Sequence, residues 1–339
     1  MSSFTIGGTE NRMRWDRRAR GFVEAWWATV THADSGAGVW LRYALTAPRA
    51  SPPYCEVWGF VFDPGVALSF AGVERFPIDR LGAANGRDDG ALVRIGDAWL
   101  SETHLEGRVS SGARSLSWSL DVEPAARCFH HVPVPLRARA ERSASVVCSP
   151  NLAVPFTGTV TVDGNELTFA GERGSQSHRW GRRHPASWAW AHCARFDDGA
   201  DAVFEGVAAR ACVGPVAAPT TTLLYLRLDG EDVCFNDVRG ALRARGRYEM
   251  PTWAFSARTD EWKIAGAARA APTRLVQVAY RDPDGSERFC ANSEIADLGV
   301  EVYRRGGGSW RHHRSLTSLR GAALEFGRRD PFVELPVVR

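Results

Sequence analysis

The sequence predicts an all-β protein made of two antiparallel β-barrels. Short segments rich in aromatic and β-branched residues recur along the 339-residue chain, and clusters of Gly, Pro and Asp separate them. No long segment shows helical periodicity. A chain of this length is normally divided into two domains of about 150 residues each. The strand pattern therefore predicts the fold class, and the length predicts two units of it.

Three aromatic segments near the N-terminus are the clearest predicted strands, and they cover residues 22–31, 38–46 and 54–62. Further strands are predicted at 91–100, 114–122, 158–172, 187–196, 221–229, 274–285 and 322–327. The segment 158–172 contains Asp-Gly-Asn, which is typical of a tight hairpin turn.

The first two hairpins also predict which side chains share a face. With turns centred near residues 33 and 49, cross-strand pairing gives two rows: Glu24–Arg42–Glu56 and Trp26–Trp40–Trp58. The charged row could anchor the polar end of a ligand or supply a carboxylic acid of raised pKa. It could equally be a structural ladder of ion pairs, with the tryptophans as core, and we favour that interpretation.

The pattern of the first hairpin recurs in the second half of the chain. Residues 24–42 align with residues 187–205, which matches Trp27 with Trp190. We therefore expect a first barrel over 18–150, ending in a Pro- and Arg-rich linker at 130–150, and a second barrel over 151–330. Residues 1–17 are expected to be an N-terminal extension, and residues 331–339 a C-terminal tail.

Composition excludes several classes of function. A formal net charge of +3 is too small to indicate a nucleic-acid partner, although arginines cluster at 12–20, 137–142 and 304–314. No apolar run is long enough for a membrane helix, and no secretory signal is recognisable. The seven cysteines form no Cys-x-x-Cys pair, which favours reduced thiols in the cytoplasm over a disulfide framework or a zinc ribbon.

The order of four motifs resembles the bacterial lipocalin-like proteins of the AttH and carotenoid 1,2-hydratase type. These motifs are EAWW from Glu24, VWLRYAL, GSQSHRWG followed by SWAWAHC, and CANSEIADL, and the resemblance spans residues 18–330. Tocopherol cyclase and the lipocalin-like Diels–Alderases are more distant relatives. The resemblance implies two lipocalin-like (calycin) barrels side by side, with an apolar ligand in a barrel or between them. In the members that are enzymes it implies cofactor-free hydration, cyclisation or pericyclic ring closure.

The segment 171–193 is the first candidate site. Its three histidines are six and eight residues apart, which is wider than usual zinc spacing, and we expect no metal there. In extended backbone Gln176, His178 and Trp180 share one face, as do Trp188, Trp190 and His192. Histidines beside aromatic walls suit an acid-catalysed hydration or cyclisation, and we expect His178 and His192 to line one pocket where the two barrels meet. The alternative, which we favour, is that His178 and Trp180 brace one barrel against the other at a seam that also lines a site.

The segment 290–298 is the second candidate site. Glu294 could be a general acid, and Asn292 could donate a hydrogen bond to a carbonyl group. Asn-Ser-Glu is also common in turns and helix caps, and we favour this structural interpretation.

These observations support two functional hypotheses. The leading one is a cofactor-independent hydratase, cyclase or isomerase that acts on a hydrophobic isoprenoid- or polyketide-like molecule. The alternative is a non-catalytic lipocalin-like carrier of a hydrophobic small molecule. We expect no cofactor, no nucleic-acid partner and no stable membrane insertion in either case. A buried acid facing the ligand would distinguish them, because a carrier has no use for one.

Overall fold

The chain forms two large antiparallel sheets in a computed structural model that describes residues 3–6, 8–82, 90–133, 145–213 and 216–338. The first sheet contains β1 (Phe4–Ile6), β2 (Phe22–Thr31), β3 (Gly38–Ala47), β4 (Tyr54–Phe62), β5 (Phe70–Pro77), β6 (Leu81–Gly82), β7 (Val93–Ile95), β8 (Ala98–Leu100), β9 (His104–Ser111), β10 (Arg114–Val122), β11 (Arg127–His130), β12 (Ser145–Val162) and β13 (Asn165–Gly181). Its strand order is β5-β4-β3-β2-β13-β12-β10-β9-β8-β7-β6, with β11 and then β1 added beside β12. Because β4 and β5 also contact β9, the sheet curls into a nearly closed barrel.

The second sheet is built from the remaining long strands. After β14 (Ser187–Cys193) and β15 (Ala202–Arg210), a small ribbon of β16 (Cys212–Val213) and β17 (Val216–Ala217) precedes β18 (Thr221–Leu228), β19 (Glu231–Cys234), β20 (Arg245–Glu249), β21 (Thr252–Arg258), β22 (Trp262–Arg269), β23 (Val276–Arg281), β24 (Glu287–Gly306), β25 (Ser309–Arg328) and β26 (Val337–Val338). The helix α1 (Val238–Arg243) and the 3-10 turns Ile78–Arg80 and Pro272–Arg274 complete the described structure. None of the described helices has the length and hydropathy needed to cross a bilayer.

The second sheet repeats the strand order of the first. Its order β19-β18-β15-β14-β25-β24-β22-β21-β20 corresponds strand by strand to β5-β4-β3-β2-β13-β12-β10-β9-β8. In each sheet a long hairpin, β12–β13 or β24–β25, lies beside an aromatic hairpin, β2–β3 or β14–β15. This correspondence agrees with the sequence repeat at the start of each half, and the predicted all-β fold of two antiparallel units is confirmed.

The boundary between the two units lies later than the sequence predicts. Both β12 and β13 pair within the first sheet, so residues up to Gly181 belong to it and the second sheet begins at Ser187. The expected boundary at 150/151 falls inside β12, because this strand continues through the predicted linker sequence. The expected linker residues 134–144, and the arginines at 137–142, lie outside the described residues.

The predicted extension and tail are integral parts of the sheets. At the N-terminus β1 pairs with β11, and at the C-terminus β26 pairs in parallel with β23. Phe332 and Leu335 are buried in the second core. Neither segment is therefore an appendage.

Each sheet encloses its own apolar core, and a third apolar cluster lies between the sheets. The first core contains Trp26, Tyr43 and Trp118, and the second contains Phe204 and Trp253. The third cluster, which we call the seam, packs the outer faces of the two sheets together. Its large residues are Trp40, Trp58, Phe60, Phe62, Trp188, Trp190 and Tyr280.

The predicted register of the first hairpin is wrong. Trp27 pairs with Arg42 and Glu24 pairs with Leu45, so each residue of β2 pairs three positions later on β3 than expected. The loop 32–37 is closed by a hydrogen bond from the backbone N–H of His32 to the carbonyl oxygen of Ala37. An odd shift moves every side chain of β2 to the opposite face. Glu24 and Trp26 consequently point into the first core, away from the seam.

In the second predicted hairpin, the side chains of β3 and β4 that were predicted to share a face do so. Arg42 pairs with Trp58 rather than with Glu56, a shift of two residues, so both still lie on the seam side of their strands. Trp40 and Trp58 are in edge contact, with ring centroids 6.0 Å apart. The carboxylate of Glu56 accepts a hydrogen bond from Arg75 at 2.7 Å. The charged row is therefore broken at both ends. Trp40 pairs with Phe60, so the two tryptophans touch diagonally and not as the directly opposed pair that we predicted.

Gly38 sets the distance between the sheets at one point. A Cβ atom there would lie 2.4 Å from the backbone oxygen of Glu294, a contact that neither backbone can relieve without moving. We expect Gly38→Ala to reduce the free energy of unfolding by about 1–3 kcal/mol, the usual cost of overpacking. Urea denaturation of the wild type and the variant measures this difference in the free energy of unfolding. Gly299→Ala is the matched control, because a Cβ on that strand glycine would meet nothing within 4 Å. Equal stability of the two variants would contradict the close approach.

Candidate functional site

The three histidines of the segment 171–193 lie in three separate places. His178 meets Glu24, His192 meets Glu205, and His184 meets Asp282. We expected His178 and His192 to line one pocket, and the structure shows that they do not. The cause is the alternation along β13, where the seam side carries Ser175, Ser177 and Arg179, while Gln176, His178 and Trp180 face inward.

His178 is a fully enclosed side chain at one end of the first barrel. Its Nδ1 donates to the backbone carbonyl of Glu10 at 2.7 Å, and its Nε2 lies 2.9 Å from Oε1 of Glu24. The ring stacks on Trp26 with centroids 4.7 Å apart, and Trp180 covers it at 4.8 Å. Both nitrogens and both neighbouring rings are occupied by groups of the first sheet and the N-terminal segment. The prediction that His178 and Trp180 brace one barrel against the other is therefore wrong, because both side chains face into the first barrel.

Glu24 and Gln176 attach the N-terminal segment to the same place. The carboxylate of Glu24 accepts the backbone N–H groups of Arg14 and Trp15 at 2.7 and 2.9 Å. Oε1 of Gln176 accepts a hydrogen bond from Asn11 at 3.1 Å. The residues predicted as one side of a seam pocket instead hold residues 10–15 over the end of the first barrel.

His192 belongs to a buried cluster that joins the two sheets. Glu205 receives hydrogen bonds from His192 at 2.8 Å, from His131 at 2.7 Å and from Nε1 of Trp190 at 2.5 Å. Burial alone would raise the pKa of Glu205, but the hydrogen bonds and charges of His131 and His192 lower it to about 2. His131 follows β11 of the first sheet, so this cluster ties the first sheet to the second.

The pair of His184 and Asp282 lies under the aromatic residues of the seam. Nδ1 of His184 is 2.7 Å from Asp282, and its ring stacks on Tyr280 with centroids 4.9 Å apart. Burial, together with the nearby charge of Arg179, lowers the pKa of His184 to about 4. Arg42 lies on the other side of Tyr280, 4.5 Å above its ring.

Glu294 is the predicted site residue whose surroundings are best suited to chemistry. It lies in an irregular part of β24, between the paired residues Ser293 and Ala296, and is 2% exposed. The strand assignment replaces the turn or helix cap that we favoured from the sequence. The hydroxyl of Thr29, from the first sheet, donates to Oε2 of Glu294, whereas Oε1 has no hydrogen-bond partner among the described residues.

The carboxyl group of Glu294 favours its protonated form. Burial raises the pKa of Glu294 well above its usual value, and the nearby charge of Glu325 acts in the same direction. The hydrogen bond from Thr29 opposes this change but does not reverse it. In the protonated group Oε2 accepts from Thr29, which leaves the O–H on Oε1 free to donate. The arrangement is that of a neutral acid held ready at the seam.

This protonation has a consequence for stability. The pKa of Glu294 is higher in the folded state than in the unfolded state. At pH values above about 4.5 the folded state therefore binds more protons than the unfolded state. The free energy of unfolding should therefore decline with rising pH, and Glu294→Gln should make this decline shallower. Chemical denaturation of both proteins at several pH values measures how the free energy of unfolding changes with pH. An unchanged slope in the variant would show that Glu294 ionises normally.

Sequence analysis missed two partners of Glu294. Thr29 is one of two threonines in an aromatic strand, and nothing in the sequence sets it apart. Glu325 lies in the predicted strand 322–327, where a single acid among apolar residues was a usable signal. Nε1 of Trp188 donates to Glu325 at 3.2 Å, and burial raises the pKa of Glu325. Asn292 is directly opposite Glu325 on β24, so the register brings Asn292 to the same row.

Buried polar atoms without hydrogen-bond partners are concentrated at the seam. Among the described residues they include Nε1 of Trp27 and Trp40, Nε of Arg42, Oγ of Ser175, both amide atoms of Asn292, and Oε1 of Glu294. Most buried polar groups in proteins are paired, because an unpaired one costs about 1–3 kcal/mol. Their concentration in one place indicates a surface suited to a ligand with both polar and apolar parts.

A cleft leads toward this surface from one side. It has a volume of about 310 Å³, and its lining includes Glu56, Trp58 and Arg75. From Trp58 the aromatic wall continues to Trp40, which lies opposite Thr29 on the neighbouring strand. Thr29 in turn holds Glu294. The larger described cleft, of about 690 Å³, lies beside α1 and is lined by none of the predicted site residues.

Comparisons with known proteins agree with this architecture. The sequence profile of the family described as "Tocopherol cyclase-like" matches residues 20–328. An uncharacterized protein of Mycobacterium tuberculosis, found in strains CDC 1551 / Oshkosh and ATCC 25618 / H37Rv, is 28% identical over 297 residues, which cover 88% of this chain and 85% of the relative.

Two crystal structures share the fold. One, assigned to AttH (NE1406) from Nitrosomonas europaea, superposes with a TM-score of 0.53 at 13% identity and covers 93% of this chain and 95% of that one. The other, kievitone hydratase from Nectria haematococca, has a TM-score of 0.54 at 8% identity, with 91% and 89% covered. The predicted resemblance to lipocalin-like proteins of the AttH type is confirmed.

Proposed function

Because the chain belongs to the tocopherol cyclase-like family, we propose that it is a cofactor-independent enzyme that hydrates or cyclises a hydrophobic isoprenoid- or polyketide-like molecule. The observation that carries this proposal is the carboxyl group of Glu294, which is buried at the seam with Oε1 unpaired among the described residues and whose pKa is raised by burial. A carrier needs apolar walls, but it gains nothing from an acid that costs free energy to bury. The kievitone hydratase structure shares the fold, which is consistent with hydration chemistry in this architecture.

The reaction would begin with proton transfer from Glu294. The O–H bond at Oε1 breaks as a C–H bond forms at one carbon of a substrate alkene, and the neighbouring carbon becomes a cation. Water captures the cation in a hydration, and a hydroxyl group of the same substrate captures it in a cyclisation. The captured oxygen then loses its proton to the Glu294 carboxylate, which restores the acid. No oxidant, reductant or cofactor is needed for this balance.

The aromatic wall suits the cationic stage. Trp58 lines the cleft and Trp40 lies opposite Thr29, the partner of Glu294, and aromatic faces of this kind stabilise a cation by about 0.5–2 kcal/mol each. Asn292, whose side-chain nitrogen and oxygen have no hydrogen-bond partner in the part of the chain that the structure describes, can orient the capturing water or hydroxyl group. Glu325 and Trp188 complete the acidic side of the site.

The test is conversion of a ligand in deuterated water. The reduced protein is incubated with isoprenoid and polyketide extracts, native mass spectrometry identifies bound compounds, and each is compared before and after incubation. An enzyme of this type places solvent deuterium on a carbon position that does not exchange. Recovery of every bound ligand unchanged and unlabelled would favour the carrier and overturn the enzymatic proposal.

A further inference from the structure

We propose that Cys128, His130 and Cys148 form a binding site for a divalent thiophilic metal ion of the Zn²⁺ type. The potential ligand atoms of these three residues lie within 4.8 Å of one another. All three side chains are buried, and Cys148 and His130 are fully so. The site is in the first sheet, next to β1 and away from the seam, so it is independent of the proposed acid chemistry.

The pairing of β11 with β12 brings the ligands to one face. His130 is directly opposite Cys148 in the ladder. Cys128 precedes His130 by two residues and therefore points to the same side of β11. The two cysteines are 20 positions apart, on different strands, so the Cys-x-x-Cys spacing that signals zinc in a sequence does not arise.

Hydrogen bonding fixes His130 in the form that binds a metal. The hydroxyl of Thr5 donates its only proton to Oε1 of Glu10 at 2.7 Å. Its 2.9 Å contact with Nε2 of His130 must then be one in which Nε2–H donates and the hydroxyl oxygen accepts. In the neutral ring the lone pair is consequently on Nδ1. Within the described part of the chain this buried atom has no hydrogen-bond partner.

This chain of contacts matches the usual support of a metal-bound histidine. Such a histidine donates its second N–H to a carboxylate, carbonyl or water, which orients the ring and increases its basicity. Here Thr5 relays the interaction from His130 to the carboxylate of Glu10. The relay is present although nothing in the acid chemistry at Glu294 requires it.

Charge balance selects the type of ion. Two thiolates and a neutral imidazole carry two negative charges, which a divalent cation neutralises. The surroundings are apolar, with Val146, Trp180 and Phe22 packed around the cysteines, so a neutral complex is strongly preferred there. Sulfur and imidazole ligands suit Zn²⁺ better than Mg²⁺ or Ca²⁺, and three protein ligands leave a fourth position on a tetrahedral ion.

The experiment titrates the reduced, metal-free full-length protein with Co²⁺, followed by competition with Zn²⁺. We expect one equivalent to bind with a thiolate-to-cobalt charge-transfer absorption that Zn²⁺ abolishes. Cys148→Ala and Cys128→Ser should each remove this absorption. Thr5→Val, which breaks the relay, should weaken Co²⁺ binding by about 10–100-fold. Cys193→Ala is the matched control, because Cys193 is an equally buried free thiol in the second sheet.

Three results would overturn the proposal. One is a folded, reduced wild-type protein that shows no thiolate-to-cobalt absorption. Another is absorption that persists in either cysteine variant, with folding verified by circular dichroism. The third is a thiol count showing that Cys128 and Cys148 stay joined as a disulfide after reduction. If Cys148→Ala does not fold, Cys128→Ser and the wild-type titration still decide the question.

Discussion

Replacing Glu294 with Gln is expected to reduce turnover at least a hundredfold while the protein stays folded. Glutamine keeps the shape of the side chain and can accept the hydrogen bond from Thr29, but it has no acidic proton. General acid catalysis by a positioned group typically contributes about 10²–10⁴-fold to a rate. The loss should fall on kcat, because the proton moves only in the chemical step.

The pH profile adds a second readout of the same residue. Wild-type turnover should fall as the pH rises through the raised pKa of Glu294, since only the protonated form is active. Glu294→Gln should lose this dependence together with its activity. Steady-state kinetics with the substrate identified by deuterium labelling provide both measurements.

Glu301→Gln is the matched control for this experiment. Glu301 lies on the same strand and also accepts a hydroxyl hydrogen bond, from Ser315 at 2.7 Å, but it is exposed. Its replacement should leave turnover unchanged. Equal activity of Glu294→Gln and the wild type, with the substrate converted by both, would remove Glu294 from the mechanism.

Replacing His178 with Ala is expected to lower the free energy of unfolding by about 3–5 kcal/mol. The change leaves the carboxyl group of Glu24 without its Nε2 partner in a fully buried place, and loss of one member of a buried pair usually costs this much. It also frees the carbonyl of Glu10 and thereby releases the N-terminal segment. Urea denaturation, monitored by tryptophan fluorescence, measures the loss in the free energy of unfolding.

His104→Ala is the surface counterpart. His104 and Asp121 form the same type of pair at 2.7 Å, but the Asp121 side chain is 75% exposed, so a cost below about 1 kcal/mol is expected. His178→Gln separates bracing from chemistry. If this variant folds and turnover per folded molecule falls tenfold or more, His178 has a role beyond positioning the N-terminal segment.

Local patterns in the sequence predicted the strands well. The bounds of β2 and β4 match the predicted segments 22–31 and 54–62, because Gly and Pro interrupt aromatic and β-branched runs on either side. The hairpin after β12 turns at Asp163 and Gly164, both with positive φ, as the Asp-Gly-Asn sequence predicts. These features depend on residues close in sequence.

The features that failed depend on the exact geometry of a loop or on contacts between distant parts of the chain. The register of β2 and β3 is set by hydrogen bonds within the loop 32–37, and one odd shift moved Glu24 and Trp26 off the face that they were predicted to share with Arg42 and Trp40. The surroundings of Glu294 require the irregular part of β24 and Thr29 from the other sheet, 265 positions away. Sequence patterning named Glu294 as a candidate, but only packing distinguishes it from a turn residue.

The repeated strand order also bears on how Glu294 can stand alone. In a symmetric dimer of identical subunits, every residue of one sheet would recur on the equivalent strand of the other, so a glutamate on β24 would be repeated on the strand at the position of β12. Within one chain the two sheets vary separately: β24 carries Glu294, whereas β12, its counterpart in the strand order, contains no Asp or Glu. A single chain with two similar sheets therefore permits an unsymmetrical site on a nearly symmetrical scaffold.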